Sequence, residues 1–306
     1  DWSSDVCSSD LHSASEAIQL DCMGESQAFP WFGPYDQTAC QNIEITHCEF
    51  WNIGHERYTS EVACFGNHSF YEGVQTKYVK FKDNICTECN IVSKLRDFRH
   101  LEISGNQMMK CRFGVWTGNH KADCNDLLVS NNHYKGYWWH SEEERFVAIN
   151  MDGTMSGYKF ARIIIENNTI IDAATHAIGF TANDVMITNN IFRDVYKNAI
   201  YAYGGWSINI SNNSFYECGQ EGDSRGAIVV GGNTNLITKM VVISGNNTSG
   251  NTTVQRIIIN NVAGNNNAGN WEDNGIQKCI VTGNLANIVD KDRKSTRLNS
   301  SHPLDL

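Results

Sequence analysis

The chain has 306 residues, a formal net charge of −10 and 41% hydrophobic residues, with only three prolines against 25 glycines. The acidic balance excludes the basic footprint that nucleic acid or an anionic membrane surface demands, and no apolar run approaches the ~18 residues of a membrane helix. Frequent Asn and Gly between Ile-x-Ile triplets point instead to a long all-β chain with sharp polar turns.

At the start, "DWSSDVCSSDL" over Asp1 to Leu11 resembles a translated sequencing adapter, and "DRKSTRLNSSH" from Asp292 resembles the same adapter read in the other direction. Both stretches, residues 1–11 and 292–306, are set apart from fold reasoning. Of the charge, −3 lies in the first and +1 in the second, which leaves −8 on the body. That body, 12–291, is expected to be one domain and a piece of a longer protein.

From Ile43 onward a pattern recurs: apolar residues at positions 0 and +2, Asn at +5, an apolar residue at +7. It fits "VKFKDNIC" from Val79, "LEISGNQM" from Leu101, "LLVSNNHY" from Leu127, "IIIENNTI" from Ile163, "VMITNNIF" from Val185 and "INISNNSF" from Ile208. Looser copies start at Ile43, Val241, Ile257 and Cys279. Ten copies, with insertions between some of them, describe a solenoid whose loops vary on one side. The apolar spacing of two is that of strands, not helices. The Asn at +5 tolerates a left-handed bend and can bond its counterpart in the next coil, so an asparagine ladder is expected.

These phased copies resemble the right-handed parallel β-helix, the pectate-lyase-like superfamily. The resemblance implies a solenoid of about ten coils, a rod of roughly 45 to 50 Å at the usual strand spacing. It implies no single activity, since the same coil builds lyases, hydrolases, phage tailspikes, adhesins and inert scaffolds. The Gly-His-Gly and paired-Asp signatures of polygalacturonase-type hydrolases are missing, as is the Asp-His strand signature of pectate lyases.

Each coil has a second strand that opens on a small residue: "GVWTG" at Gly114, "GYWWH" at Gly136, "AIGFT" at Ala177, "AIYAY" at Ala199 and "AIVVG" at Ala227. Alternation turns Val115, Ile178, Phe180, Ile200, Ile228 and Val230 inward. It turns Trp116, Trp138, Gly179, Tyr201 and Val229 outward in one column, with His140, Thr181 and Tyr203 in the next. A further column before the strand reads Arg112, Tyr134, Thr175, Lys197 and Arg225.

Cysteines such as those of "CTEC" at Cys86 to Cys89 fall in core columns, where a thiol acts as a small hydrophobe, and there is no second CxxC to complete a zinc set. Cys89 and Cys111 stack on neighbouring coils at a spacing that an oxidised pair would tolerate.

Two insertions, Trp139 to Phe160 and Cys218 to Gly226, flank the short coils starting at Ile163 and Val185, so a cleft is expected between them. Exposed Trp and Tyr rings cover the apolar faces of sugars while their polar edges stay wet. Trp116, Trp138, His140, Tyr201 and Tyr203 are therefore the expected substrate-binding residues; the alternative is a slip of one in the inward–outward assignment, which makes some of these rings core. His176, Lys197, Asp223 and Arg225 are the catalytic candidates, for a lyase base or for a hydrolase carboxylate pair; a bend histidine bonded to backbone and solvated turn charges are the plain alternatives. The expectation is a polysaccharide-binding protein outside the cell or on a cell or virion surface, monomer or homotrimer, that possesses lyase or hydrolase activity or serves as a tailspike, adhesin stalk or scaffold. No nucleic acid, membrane insertion, metal site or cofactor is called for, with Ca²⁺ the ion a lyase would use against a uronate carboxylate.

Overall fold

The computed structural model describes residues 16–20, 39–54, 62–67, 72–136, 146–153, 158–219, 226–231, 238, 240–250, 256–259, 278–284 and 287–290. Their strands form three parallel sheets: sheet 1 with ten strands, sheet 2 with nine and sheet 3 with eight. The chain visits the sheets in the order 1, 2, 3 and then starts again, so each strand pairs with the strands one coil before and after it. Parallel strands joined by such crossovers wind right-handed. The chain is a right-handed parallel β-helix, as the repeat predicts.

The repeat starts at sheet 2. Val79, Leu101, Leu127, Ile163, Val185 and Ile208 are paired in register from coil to coil, and with their +2 neighbours they are almost wholly buried. Burying each such side chain contributes about 1.5 to 3 kcal/mol. The +7 position lies on sheet 3, where Cys86, Met108, Tyr134, Ile170, Phe192 and Phe215 form one inward column; Phe192 and Phe215 stack with centroids 4.9 Å apart. The copy at Ile257 is different. Its strand, Arg256–Ile259, pairs with Ile228–Val230 in sheet 1, so it is the second strand of the coil that starts at Val241. An Ile-x-Ile triplet serves either sheet, and nothing local tells them apart.

Between sheets 2 and 3 the asparagine ladder runs unbroken through Asn84, Asn106, Asn132, Asn168, Asn190, Asn213, Asn246 and Asn284. Each internal amide is saturated. Asn168 Nδ2 donates to Val129 O at 2.9 Å and to Asn190 Oδ1 at 3.0 Å, while its Oδ1 accepts from Asn132 N at 2.9 Å. The left-handed bend falls one residue earlier than expected, on Asp83, Gly105, Asn131, Asn167, Asn189, Asn212, Gly245 and Gly283. In each Asn pair, then, the first residue turns the chain and the second bonds across coils. At the first rung Cys48 stands in the ladder position, its N–H donating to Asn84 Oδ1 at 2.9 Å.

The expected inward residues of sheet 1, Val115, Ile178, Phe180, Ile200, Ile228 and Val230, are all core. Cys86, Cys89, Cys111, Cys124 and Cys218 are buried free thiols.

Candidate functional site

Three outward columns run along sheet 1. The first begins apolar, with Ala63, Ile91, Phe113 and Val147 in register as a small cluster separate from the core, against which Trp116 packs. Further along the rod the register takes it to His176 and Asn198. The second column reads Trp116, Asn150, Gly179, Tyr201 and Val229. The third pairs Gly118, Asp152 and Thr181, then Gly204.

This register corrects three expectations. The sheet 1 strand of the coil that starts at Leu127 is Val147–Asp152, so Asn150 and Asp152 hold the places assigned to Trp138 and His140. Those two residues lie outside the described residues, as do Asp223, Arg225, half of the first insertion and most of the second. Tyr134 is not outward: it sits in the core on sheet 3, its hydroxyl donating to Cys111 O at 2.7 Å. Burial holds its phenol well above the usual tyrosine range, and Phe146 takes its column place next to Thr175. Tyr203 does not align with Thr181 either. The register shifts after Phe180, Thr181 pairs with Gly204, and the bulge leaves Tyr203 as the extra, exposed residue.

What the register assembles is a ring cluster. His176 stacks on Tyr201 with centroids 5.0 Å apart, Tyr203 meets Tyr201 edge-on at 4.1 Å, and His176 meets Tyr203 edge-on at 6.0 Å. Gly179 lies beneath them. A Cβ there would lie 3.4 Å from Tyr203, 3.6 Å from Asn150 Oδ1 and 3.7 Å from His176, so alanine fits in ordinary contact and only a longer side chain would push the rings and the amide apart. Trp116 lies two coils from Gly179 and three from Tyr201, stacked on Phe113 at 5.1 Å and with the Arg96 guanidinium 5.6 Å from its ring centre. Lys197 occupies the bend that opens the strand Asn198–Gly204 and is half-buried.

The His176 tautomer follows from its neighbour. Asn198 Oδ1 accepts from Gly226 N at 3.1 Å, which turns its Nδ2 toward His176 Nδ1 at 3.4 Å. An amide nitrogen can only donate, so Nδ1 accepts and Nε2 carries the proton. In that tautomer His176 presents Nε2–H within the ring cluster, with Asn150 and the exposed Asp152 one strand away.

Sheet 2 carries residues that the repeat pattern passed over, at the position just before each coil start. Tyr78, His100, Asp126, Arg162, Asp184 and Ser207 all have positive φ, between 51° and 62°. Left-handed backbone at a bulky residue costs about 1 kcal/mol or more, and with Asn42 before Ile43 it recurs on seven successive coils. Tyr78 stacks on His100 at 4.7 Å, His100 Nδ1 lies 3.3 Å from Asp126 Oδ2, and Arg162 grips Asp126 through Nε at 2.5 Å and a second nitrogen at 3.0 Å. The Arg162 hydrogen bonds hold the Asp126 carboxyl below the usual carboxylate range. The signal in the sequence was a mixed Tyr, His, Asp, Arg column, which has no hydrophobic period to reveal it.

No protein-family model and no curated protein matches the chain. A solved structure similar to it is the A-module of the mannuronan C-5 epimerase AlgE4 from Azotobacter vinelandii, with 12% sequence identity and a TM-score of 0.46. The match covers 88% of this chain and 65% of that one. The chain therefore spans less than two thirds of that structure's length, and its function is read from its own residues.

Proposed function

We propose that the protein binds polysaccharide across the outer face of sheet 1. The observation that carries this reading is the ring cluster of His176, Tyr201 and Tyr203 over Gly179. Flat, partly exposed rings accept the apolar face of a sugar, and Asn150, Asp152 and the His176 Nε2–H supply partners for its hydroxyls. Trp116, in the same column, extends the track along the rod. Polysaccharides of this kind are found outside cells and on their surfaces, where the protein would meet them.

Cleavage is the finer part of the proposal. His176 is the acid–base candidate, with Lys197 just before its register partner Asn198 on the next coil, and Asp152 is the carboxylate that the register adds. The test incubates the chain with plant, algal and bacterial glycans and measures binding, new reducing ends and the absorbance of unsaturated products. Tyr201→Ala and Trp116→Ala are each expected to weaken the best ligand at least tenfold, about 1.4 kcal/mol. Binding by none of the glycans contradicts the reading. Binding without products keeps the glycan site and removes the catalytic part.

A further inference from the structure

Sheet 2 has an outer groove of its own, ≈ 640 Å³, walled by the left-handed column of Tyr78, His100, Asp126 and Arg162. Its floor is the next outward column, in which Leu128, Ile164 and Met186 lie side by side on successive coils. Ile164 is 36% exposed. Lys80 and Glu102 continue the floor at one end and Asn209 at the other.

Three features decide what such a groove can hold. It is long and shallow, crossing six coils, about 24 Å at the usual strand spacing, which suits a chain better than a compact small molecule. Its charges alternate in sign along the rod: His100 and Arg162 both face Asp126, Asp184 acts on Arg162 from the next coil, and Glu102 has Lys80 as its register partner and Lys82 at 3.7 Å. A charged ligand gains little from a wall compensated in this way, and an uncharged one loses nothing. Finally, the floor is apolar while the wall offers a fixed carboxylate–guanidinium fork that both donates and accepts. A ligand matching both must be apolar on its faces and rich in hydroxyls at its edges, with rings that can lie on Tyr78 and Ile164.

We infer that sheet 2 is a second, independent binding track, and that its ligand is an uncharged glycan chain lying along the rod axis. The recurrent left-handed backbone fixes the wall in advance, so little ordering remains to be done when the chain binds. The track shares no residue with the ring cluster on sheet 1, so either can fail while the other stands.

The test titrates the 306-residue chain calorimetrically with neutral oligosaccharides (β-1,4-glucan, β-1,3-glucan, xylan and mannan fragments), with polygalacturonate and alginate fragments, and with an unstructured peptide. Wild type is compared with Tyr78→Ala, Ile164→Asp and, on the other face, Tyr201→Ala. Tyr78 and Ile164 are solvent-facing, and a thermal melt confirms that each variant is folded. The expected result is a neutral glycan whose affinity drops at least tenfold in both sheet 2 variants, and which still binds this track in Tyr201→Ala. The inference is overturned if no neutral glycan binds, if Tyr78→Ala and Ile164→Asp bind like wild type, or if the ligand lost in Ile164→Asp is the peptide or an anionic glycan.

Discussion

The outer faces of sheets 1 and 2 are built from the same coils at the same spacing, yet they solve different problems. On sheet 1 a column changes character along the rod, from Phe113 and Val147 to His176 and Asn198, and rings close over a glycine. On sheet 2 the column keeps one backbone conformation over seven coils and carries paired charges. One face is a ring cluster made by variation, the other a wall made by repetition. In a solenoid the chemistry therefore resides in columns, and a single rung, read alone, shows little of it.

Breaking what both faces share has the largest effect. Asn168→Ala removes one amide from the ladder and leaves buried partners on both sides unsatisfied, Val129 O and Asn132 N–H among them. A loss of about 3 kcal/mol or more is expected, seen as a lower denaturant midpoint together with weakened binding on both faces.

Crowding the ring cluster separates the faces. Gly179→Val should cut sheet 1 glycan affinity at least tenfold, because its methyl groups must displace Tyr203 or His176. Fold stability is expected to hold or rise slightly, since a branched residue replaces glycine within a strand. Gly179→Ala, whose Cβ meets only ordinary contacts, should bind like wild type.

Asp126→Asn tests the wall. Its carboxyl titrates below the usual range because of Arg162, so in wild type the pair contributes stability above the unfolded carboxylate range and loses it as pH falls through the lowered value. The variant should lose that acid-side dependence, lower stability at neutral pH by less than about 1 kcal/mol at this exposed site, and weaken binding on sheet 2 alone.

The smallest effect is expected away from both faces. Burial, with Asp194 beside it, raises the Asp172 carboxyl, so its charged form opposes folding once the pH exceeds the unfolded carboxylate range. Asp172→Asn should raise Tm at pH 7 by about 1 °C and leave it unchanged at pH 3.

The fold was legible because its signal repeats: Ile163, Ile165 and Asn168 mean little singly, and the same phasing over many coils means a β-helix. The outer columns of sheet 1 were legible where coils are short. Trp116, Gly179 and Tyr201 share one column in register, whereas the insertion after Lys135 hid the phase of its coil. There the aromatic run at Tyr137 looked like the second strand, while "VAINMD", with Val147, Ile149 and Met151 alternating, was the strand itself. The wall on sheet 2 could not be read at all, because its common property is a backbone angle and its side chains share no chemistry.

The central claim, a glycan laid on the rings of sheet 1, is tested most directly by hydrogen–deuterium exchange with and without the best ligand from the panel. Slowed exchange in the strands Val147–Asp152, His176–Thr181 and Asn198–Gly204 is the predicted result. Protection confined to sheet 3, or none at saturating ligand, would contradict it.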